Sequence, residues 1–373
     1  MTEQMTTKPK SAGPQTVNQV ILDRIAAHAS DLTRVEAHLQ DRVLRLLKGL
    51  ERDLVAQLGA MDPTGVVRTA YRRARLEKLL AQVQATIKTA YGQIRTDSLS
   101  GLMELAVIEG DFAGAALKLA IPLDLAIRMV SAETLQVLAA ETLIDGAATA
   151  EWWSKQAGDL RDRFTRAMRQ GMLEGDDLGR LIQRVRGSRA SGFRDGIMQA
   201  SRRQAETLVR SSVQTVANRA REQVWEANAN LLKGLVWVST LDRRTSPQCI
   251  ARDGKQYGLD HKPIGHSLPW GAGPGSLHPC CRSTCAPVIK SWRELGFDID
   301  ELPEGTRASM DGQAPESMTY EAWLKSKDEA VQNQVLGKGK ADLWRRGKIS
   351  AADLLDNRGR PLTLAELKER VAA

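Results

Sequence analysis

The sequence predicts a mainly α-helical protein, in which long N-terminal helices and a helical bundle precede a small loop-rich α+β module and a short helical C-terminal tail. Three observations support this fold class. Apolar residues recur at helical spacing through most of the chain up to Leu231, aromatic residues make up 4% of the sequence, and glycine and proline are concentrated at positions 254–287. Cores with few aromatic side chains favour packed helices over β-sandwiches, and 373 residues allow two or three domains.

The N-terminal region predicts a tail followed by two long helices. Residues 1–16 are polar and lack apolar periodicity, so we expect a disordered tail. Apolar residues recur at helical spacing from Val17 to Leu58, the run Met61-Asp-Pro-Thr-Gly65 interrupts the pattern, and a second helical pattern continues to Ile94. The two helices are expected to form an antiparallel hairpin or an extended stalk, and either arrangement offers a surface for homo-oligomers.

The most apolar stretch, 99–143, predicts helical segments interrupted at Gly110-Asp111 and at Ile121-Pro122. Charged residues recur there too often for a membrane span, so we expect burial within the protein and no membrane partner. The polar N-terminus has no signal-peptide character, which predicts a protein made in a reducing cytosol. Clustered cysteines in that compartment indicate a metal or free thiols ahead of disulfides.

Most of the positive charge lies in one stretch. Between Asp159 and Glu222 there are 14 arginines, no lysine and 8 acidic residues, a local net charge of +6 out of +8 for the whole chain. The pattern predicts a helix that begins after Asp176 or Asp177 and ends at Gly187, and a long helix from about Asp195 to Leu231. Arginine forks suit phosphates and carboxylates, although a solvated helix face with internal ion pairs is the alternative. The candidate nucleic-acid or partner-binding residues are Arg184, Arg186, Arg202, Arg203 and Arg210.

All four cysteines and three of the five histidines lie in one 37-residue window, 249–285. A tetrahedral metal site takes four thiolate or imidazole ligands, commonly with two from a tight local turn, and the run from His278 to Cys281 provides such a turn. Cys249 is the distant third ligand. The predicted fourth ligand is Cys285, and Cys280, His261 and His266 are the alternatives. A structural zinc ion, a Cys249–Cys281 disulfide and unligated reduced thiols all stay open as interpretations.

Two catalytic interpretations of the window are weaker. The run Asp260-His261-x-Pro263 is similar to the opening of His-Asn-His nucleases, but the downstream asparagine and final histidine are missing. Cys281 as a nucleophile with His278 as its base is unfavourable, because residues three apart in a proline-containing loop seldom reach that geometry. We therefore expect no enzyme, with a metal-dependent nuclease as the alternative.

The order of residues through the window resembles the Mu F-like minor head proteins of tailed bacteriophages, the head morphogenesis family. The resemblance covers about 178–287 and rests on Arg210 and Asn218, then Trp237-x4-Asp242-x-Arg244-Thr245-x3-Cys249, Asp253-Gly254 and His278-Pro-x-Cys281-Arg282. Relatives often read Cys-Arg-Cys where this chain has Cys281-Arg282-Ser283, which leaves the fourth ligand open. The residues to which we assign a structural role are Asp242, Arg244, Thr245, Gly254 and Arg282, with Asp242, Arg244 and Arg282 expected to make ion pairs across the window.

The resemblance implies a minor component of the phage head, incorporated into the procapsid in low copy near the portal. It implies the portal protein and the capsid and scaffold proteins as partners, with packaged DNA as a further candidate, and a location in the virion after assembly in the host cytoplasm. The predicted domains are a tail at 1–16, a helical N-terminal domain at 17–150, a Mu F-like domain at 151–302, and a linker with a helical C-terminal region at 303–373. Short helices are expected at 292–302, 320–336, 340–347 and 362–371, with the linker at 303–316.

Overall fold

The computed structural model describes residues 17–64, 69–121, 126–291, 293–295, 306–309, 312–315, 318–356 and 358–372. The predicted tail at 1–16 lies outside these residues. Helices make up most of the described chain, and short strands form a small sheet next to the cysteine and histidine cluster. The predicted fold class, mainly α with a small α+β module, is therefore confirmed.

Two long helices, α1 (Val17–Met61) and α2 (Thr69–Ala120), pack side by side in opposite directions. Arg42 of α1 pairs with Asp97 of α2 at 3.4 Å, and the Gln57 amide donates to the Thr86 hydroxyl at 2.7 Å nearer the turn. Because partners on α2 come earlier as α1 advances, the helices form an antiparallel hairpin, one of the two arrangements expected from the sequence. None of the described helices is apolar enough over a sufficient length to cross a membrane.

Helix α2 continues through Gly110-Asp111, where the sequence led us to expect an interruption. The reason is packing against the next helix, α3 (Ala132–Glu141). A Cβ atom at Gly110 would lie 2.4 Å from Cδ1 of Leu135, so the missing side chain lets α3 approach the continuous helix. Gly101 has the same relation to Leu39 of α1. These glycines are therefore points of close helix contact rather than helix ends.

A hairpin of two-residue strands, β1 (Leu143–Ile144) and β2 (Ala147–Ala148), leads into three further helices: α4 (Thr149–Glu174), α5 (Leu178–Arg186) and α6 (Ile197–Ala227). Asp177 caps α5 by accepting from the Arg180 amide at 2.7 Å, and Gly187 ends it with a φ of 95°, as the cap signals predict. Helix α6 is the centre of the fold, because it packs against α1, α2 and α4 and most of its side chains are buried.

The small sheet follows directly from α6. Its strands have the spatial order β5-β4-β3-β6 with antiparallel pairing throughout, and a one-turn helix, α7, connects β3 to β4. The elements are β3 (Leu232–Val238), α7 (Pro247–Arg252), β4 (Gln256–Tyr257), β5 (Pro263–Ile264) and β6 (Thr284–Ile289). At the edge strand β6, the Ile289 amide donates to the side-chain oxygen of Asn18 of α1 at 2.9 Å, so the start of the described chain covers this edge.

The C-terminal region has its own core against α7. It comprises a hairpin of β7 (Thr306–Ser309) and β8 (Gly312–Pro315), and then α8 (Tyr320–Lys325), α9 (Glu329–Leu336), α10 (Lys338–Arg345) and α11 (Leu364–Ala372). The helices lie close to the predicted positions, but part of the segment that we expected to be a linker forms the hairpin. Asp311-Gly312, a common hairpin dipeptide, is the sequence signal for it. The helix expected at 292–302 lies largely outside the described residues.

Candidate metal centre

Cys249 is positioned by the one-turn helix α7. Ser246 caps this helix, and its hydroxyl accepts from the Cys249 amide at 3.3 Å, while Pro247 occupies the first helical position. Asp253 fixes the other end by accepting from the Ser239 amide at 2.8 Å and from the Tyr320 amide of α8 at 2.7 Å. The turn that carries the first sulfur atom is therefore held both by β3 and by the C-terminal region.

His278 and Cys281 come from a tight turn just before β6. The Cys281 amide donates to the His278 carbonyl at 3.1 Å, and Cys280 between them has a φ of 58°. The Cys280 amide donates to the Ser211 hydroxyl of α6 at 3.0 Å, which anchors the turn to the helical core. This geometry brings His278 and Cys281 together and leaves Cys280 out of the group, as expected for vicinal cysteines.

The ligand atoms of Cys249, His278 and Cys281 all lie within 4.8 Å of one another, and in the described residues this is the one group of three or more such side chains that could hold a metal ion. The two sulfur atoms are 3.6 Å apart, and the Cys249 sulfur lies 3.4 Å from His278 Nε2. Zinc bonds of about 2.3 Å to sulfur and 2.0–2.1 Å to nitrogen, arranged tetrahedrally, place two sulfurs about 3.8 Å apart and a sulfur and a nitrogen about 3.6 Å apart. The group therefore has nearly the dimensions needed to hold a metal ion.

The orientation of the His278 ring also fits a metal ligand. Its Nδ1 lies 3.0 Å from the Pro279 carbonyl oxygen, which can only accept, so Nδ1 carries the proton. Nε2, the atom that faces Cys249, is left with a free lone pair in the neutral ring. Metal-binding histidines commonly donate their other ring nitrogen to a carbonyl or carboxylate in this way.

The pKa values of the two cysteines are shifted in opposite directions. A hydrogen bond from the Cys249 thiol, together with His278, lowers the pKa of Cys281 well below its usual range. The same hydrogen bond and burial raise the pKa of Cys249, and the Cys281 thiolate raises the pKa of His278. Both sulfurs are buried, at 2% and 0% exposed, so this thiolate is shielded from water. A metal cation at this point would replace the shared protons, because thiolates and neutral imidazoles are the ligand forms.

The structure does not bring Cys285, the predicted fourth ligand, into this group. Cys285 lies on β6 opposite Trp237, and its thiol donates to the Glu222 carboxylate of α6 at 3.6 Å. Complete burial and the nearby carboxylate raise the pKa of this thiol, as expected for an inert core cysteine. Strand β6 begins at Thr284, so its pleat and not the spacing from Cys281 decides where the Cys285 side chain points.

The two alternative histidines lie elsewhere in the module. His261 has a φ of 62° and stacks on the Trp270 ring with centroids 4.6 Å apart. His266 directs Nε2 to the Gln256 carbonyl at 2.8 Å and packs edge-on against Tyr257. Both rings belong to an aromatic cluster on the β4 side of the sheet, and they take no part in the metal-sized group found in the described residues.

The structural residues of the window tie its two halves together. Arg282 makes two hydrogen bonds to the Asp242 carboxylate, at 2.6 and 2.8 Å, and Arg244 pairs with the same carboxylate at 3.8 Å. Burial acts to raise the pKa of Asp242, but hydrogen bonds from Arg282 and Arg244 outweigh it and lower the pKa. The Thr245 hydroxyl donates to the Thr240 carbonyl, and Gly254 has a φ of 74°.

The candidate binding arginines are largely engaged within the protein. Arg184 pairs with Glu174 and Asp176, Arg186 and Arg202 pair with Glu51, and Arg210 pairs with Glu36 at 2.7 Å. Arg203 donates to the Arg194 carbonyl at 3.5 Å. The partners on α1 could not be inferred from the local sequence, because they lie more than 130 positions away. The arginine-rich face therefore carries less free charge than its composition indicates.

Ser246 and the cleft in front of it were not identified as functional from the sequence. The Ser246 hydroxyl lies 2.8 Å from His278 Nε2, and both residues line a cleft of about 710 Å³ between α1, α6 and the module. A second cleft of about 630 Å³, between α4, α6 and the 275–279 loop, meets the first at His278. The Ser-Pro dipeptide at 246–247 signals a helix start. Its closeness to His278, 32 positions later, depends on the fold and could not be inferred from the local sequence.

A comparison with known protein families finds a match to part of the chain. The family described as Phage Mu protein F like protein matches residues 162–286, about a third of the chain. Neither the curated proteins nor the solved structures gave a match. The matched stretch begins in α4 and ends in β6, so it contains the arginine-rich helices and all three atoms of the metal-sized group. Residues 162–286 are accordingly a Mu protein F-like domain, which confirms the family resemblance of the sequence.

Proposed function

We propose that this chain is a head morphogenesis protein of a tailed bacteriophage and acts without catalysis as a minor component of the head. The match of residues 162–286 to the Mu protein F-like family carries this proposal. The location of that domain supports it, since its long helix α6 packs against helices α1 to α5 and strand β6. The alternative, a metal-dependent nuclease built on His261, has little support because that ring is stacked on Trp270.

Within the head, the chain is incorporated into the procapsid near the portal and contacts the portal, capsid and scaffold proteins. Quantitative mass spectrometry of purified procapsids and virions tests this placement. The expected result is a few copies per particle, together with crosslinks to the portal protein. Absence of the chain from both particles would overturn the proposed function, and crosslinks to the major capsid protein alone would overturn the placement at the portal.

Contact with packaged DNA is a separate part of the proposal. Phosphates would be bound by those arginines that remain solvent-accessible despite the described ion pairs. Such binding weakens steeply as salt increases because counterions are released. The logarithm of the association constant of the full chain for duplex DNA should therefore fall linearly with the logarithm of the salt concentration. Between 50 and 200 mM salt, the affinity should drop on the order of tenfold or more for a few phosphate contacts. Binding that is absent at low salt, or unchanged by salt, would remove DNA from the list of partners.

We further propose that Cys249, His278 and Cys281 hold a structural zinc ion. The support is the ligand spacing, the contact of His278 Nδ1 with the Pro279 carbonyl and the burial of both cysteines. A metal would fasten α7 to the turn before β6, in a module that is rich in loops and small in core. Under oxidising conditions a Cys249–Cys281 disulfide is the competing state, because the two sulfur atoms are already in contact.

A further inference from the structure

The Ser246 hydroxyl lies beside the ligand atom of His278. The Ser246 hydroxyl is 2.8 Å from His278 Nε2, and Nδ1 of that ring already carries the proton. In the neutral imidazole, Nε2 is therefore the acceptor and the Ser246 hydroxyl is the donor. The same oxygen accepts from the Cys249 amide, so the backbone of α7 holds the hydroxyl in place.

A metal ion at His278 would displace this hydrogen bond. Nε2 has one in-plane lone pair, and a metal that uses it leaves the Ser246 hydroxyl proton without its acceptor. The hydroxyl remains within reach of the metal because it lies beside the ligand atom. Cys280 lies outside the group of ligand atoms, and Cys285, His261 and His266 are engaged at other places, so no predicted sulfur or nitrogen ligand closes the site.

The open side of the group faces a positively charged cleft. Ser246 and His278 line the cleft of about 710 Å³, whereas both cysteine sulfurs are buried behind them. Arg210, Arg244 and Arg282 also line this cleft, against a single lining carboxylate, Glu36. All three arginines have carboxylate partners, but Arg244 is 78% exposed and lies 3.8 Å from Asp242, so its charge also faces solvent, and such a lining favours the entry of anions.

We propose that the metal bound by Cys249, His278 and Cys281 keeps one coordination position open to this cleft, where a water molecule is replaced by a small anion that the Ser246 hydroxyl holds by a hydrogen bond. This inference rests on the proposed metal site and goes beyond it, because a purely structural zinc site has four protein ligands and no exchangeable position. The anion supplies an oxygen or nitrogen donor, and azide serves as the probe.

The test uses the full chain with Co²⁺ in place of zinc, under reducing and chloride-free conditions. Visible absorption reports coordination, and titration with azide is expected to shift the Co²⁺ bands in a saturable way. The Ser246→Gly variant removes the hydroxyl, and glycine at a helix cap costs only a few tenths of a kcal/mol relative to serine. It should still bind Co²⁺ but bind azide on the order of fivefold more weakly, as expected for one lost hydrogen bond.

Each other outcome overturns a distinct statement. A chain that binds no Co²⁺ overturns the metal site and this inference with it. Tight Co²⁺ binding with a spectrum that azide does not change leaves the metal site intact and overturns the open position. Unchanged azide affinity in Ser246→Gly overturns the role of the hydroxyl. The matched control is Ser291→Ala, which changes a serine outside the metal site. This variant should bind Co²⁺ and azide as the parent chain does.

Discussion

At the scale of single residues, the ligand atoms are placed by backbone features and not by the ligands themselves. Ser246 begins α7 and so aims Cys249 inward, and the φ of 58° at Cys280 turns the chain so that His278 and Cys281 face the same point. An L-residue in that region of φ is uncommon and costs of order 1 kcal/mol or more. The strained turn is held by the hydrogen bond from the Cys280 amide to Ser211 of α6.

The adjacent cysteines provide a residue-scale test of the ligand set. Cys281→Ser should reduce zinc from near one ion per chain to near none, because a serine hydroxyl is a poor zinc ligand compared with a thiolate. Cys280→Ser, one position earlier, should retain the metal, as should Cys285→Ser. Elemental analysis of protein purified under reducing conditions checks the metal content. Loss of zinc in Cys285→Ser as complete as in Cys281→Ser would contradict the ligand set.

How far the site could be predicted differs from one residue to the next. His278, Cys281 and Cys249 were identifiable from residue type and clustering, because a His-x2-Cys turn is local. Cys285 was favoured as the fourth ligand from its nearness in sequence, but the start of β6 at Thr284 decides which way its side chain points, and its thiol contacts Glu222. The Glu51 and Glu36 partners of the arginines depend on how α1 packs against α5 and α6, and no local pattern carries that information.

At the scale of elements, glycines decide which helices and strands can touch. Gly234 of β3 lies under the Tyr257 carbonyl of β4, and a Cβ atom there would be 2.3 Å from that oxygen. Backbone atoms in a sheet cannot move aside as the end of a leucine side chain can. The β3–β4 pairing therefore requires glycine at position 234, whereas the glycines of the long helices tolerate substitution where nothing lies nearby.

The Gly234→Ala variant should lose stability because the new methyl group forces β3 and β4 apart. A loss of about 1–3 kcal/mol is expected for overpacking of this kind. Gly92→Ala in α2 is the matched control, since no atom lies within 4 Å of its Cβ position and alanine should add up to about 1 kcal/mol of helix stability. Equilibrium urea unfolding measures both values. Equal stability of Gly234→Ala and the parent chain would contradict the tight strand contact.

At the scale of the whole molecule, the predicted N-terminal and Mu F-like domains share their cores. Ile21 and Ile25 of α1 belong to the same buried cluster as Trp237 and Cys281 of the module. A buried polar network crosses the same boundary. The Glu109 carboxylate of α2 lies 3.3 Å from the Arg221 guanidinium of α6 and 2.8 Å from His28 Nε2 of α1. Arg221 also donates a hydrogen bond to the Thr284 hydroxyl of β6. We propose that residues 17–291 unfold as one unit.

The Arg221→Met variant tests this junction. Glu109 and Arg221 are 1% and 2% exposed, so removing the guanidinium leaves a buried carboxylate with only His28 beside it. Breaking a buried pair in this way costs about 3–5 kcal/mol, whereas Arg34→Met, at an exposed pair with Asp31, should change stability little. Denaturant unfolding followed by both far-ultraviolet dichroism and tryptophan fluorescence checks the result.

Two outcomes of that experiment would contradict the proposal. An Arg221→Met chain as stable as Arg34→Met would mean that the network contributes little. Separate transitions by the two probes would mean that the helices and the surroundings of the tryptophan side chains do not unfold together. The double variant Glu109→Gln/Arg221→Met should recover part of the lost stability, because it removes the unpaired charge as well as its partner.

The helical content was predictable from periodicity and caps, as Asp177 and Gly187 at the ends of α5 illustrate. The continuity of α2 was not, because Gly110 has the sequence character of a break, and its role becomes apparent only when Leu135 is placed against it. The C-terminal hairpin at 306–315 was also missed, since two four-residue strands give almost no alternation to detect. Long periodic segments are thus predictable, and the contacts between them are not.

The hydrogen bond between Asn18 and Ile289 has a consequence for how the protein is made. Its two residues are 271 positions apart, so the first turn of α1 emerges from the ribosome long before its strand partner exists. At roughly 5–20 residues per second, synthesis of the intervening chain takes about 15 to 55 seconds. During that time the sheet that packs against the apolar side of α1 has not yet been made. The nascent chain therefore depends on the α1–α2 pairing, or on a chaperone, to avoid aggregation.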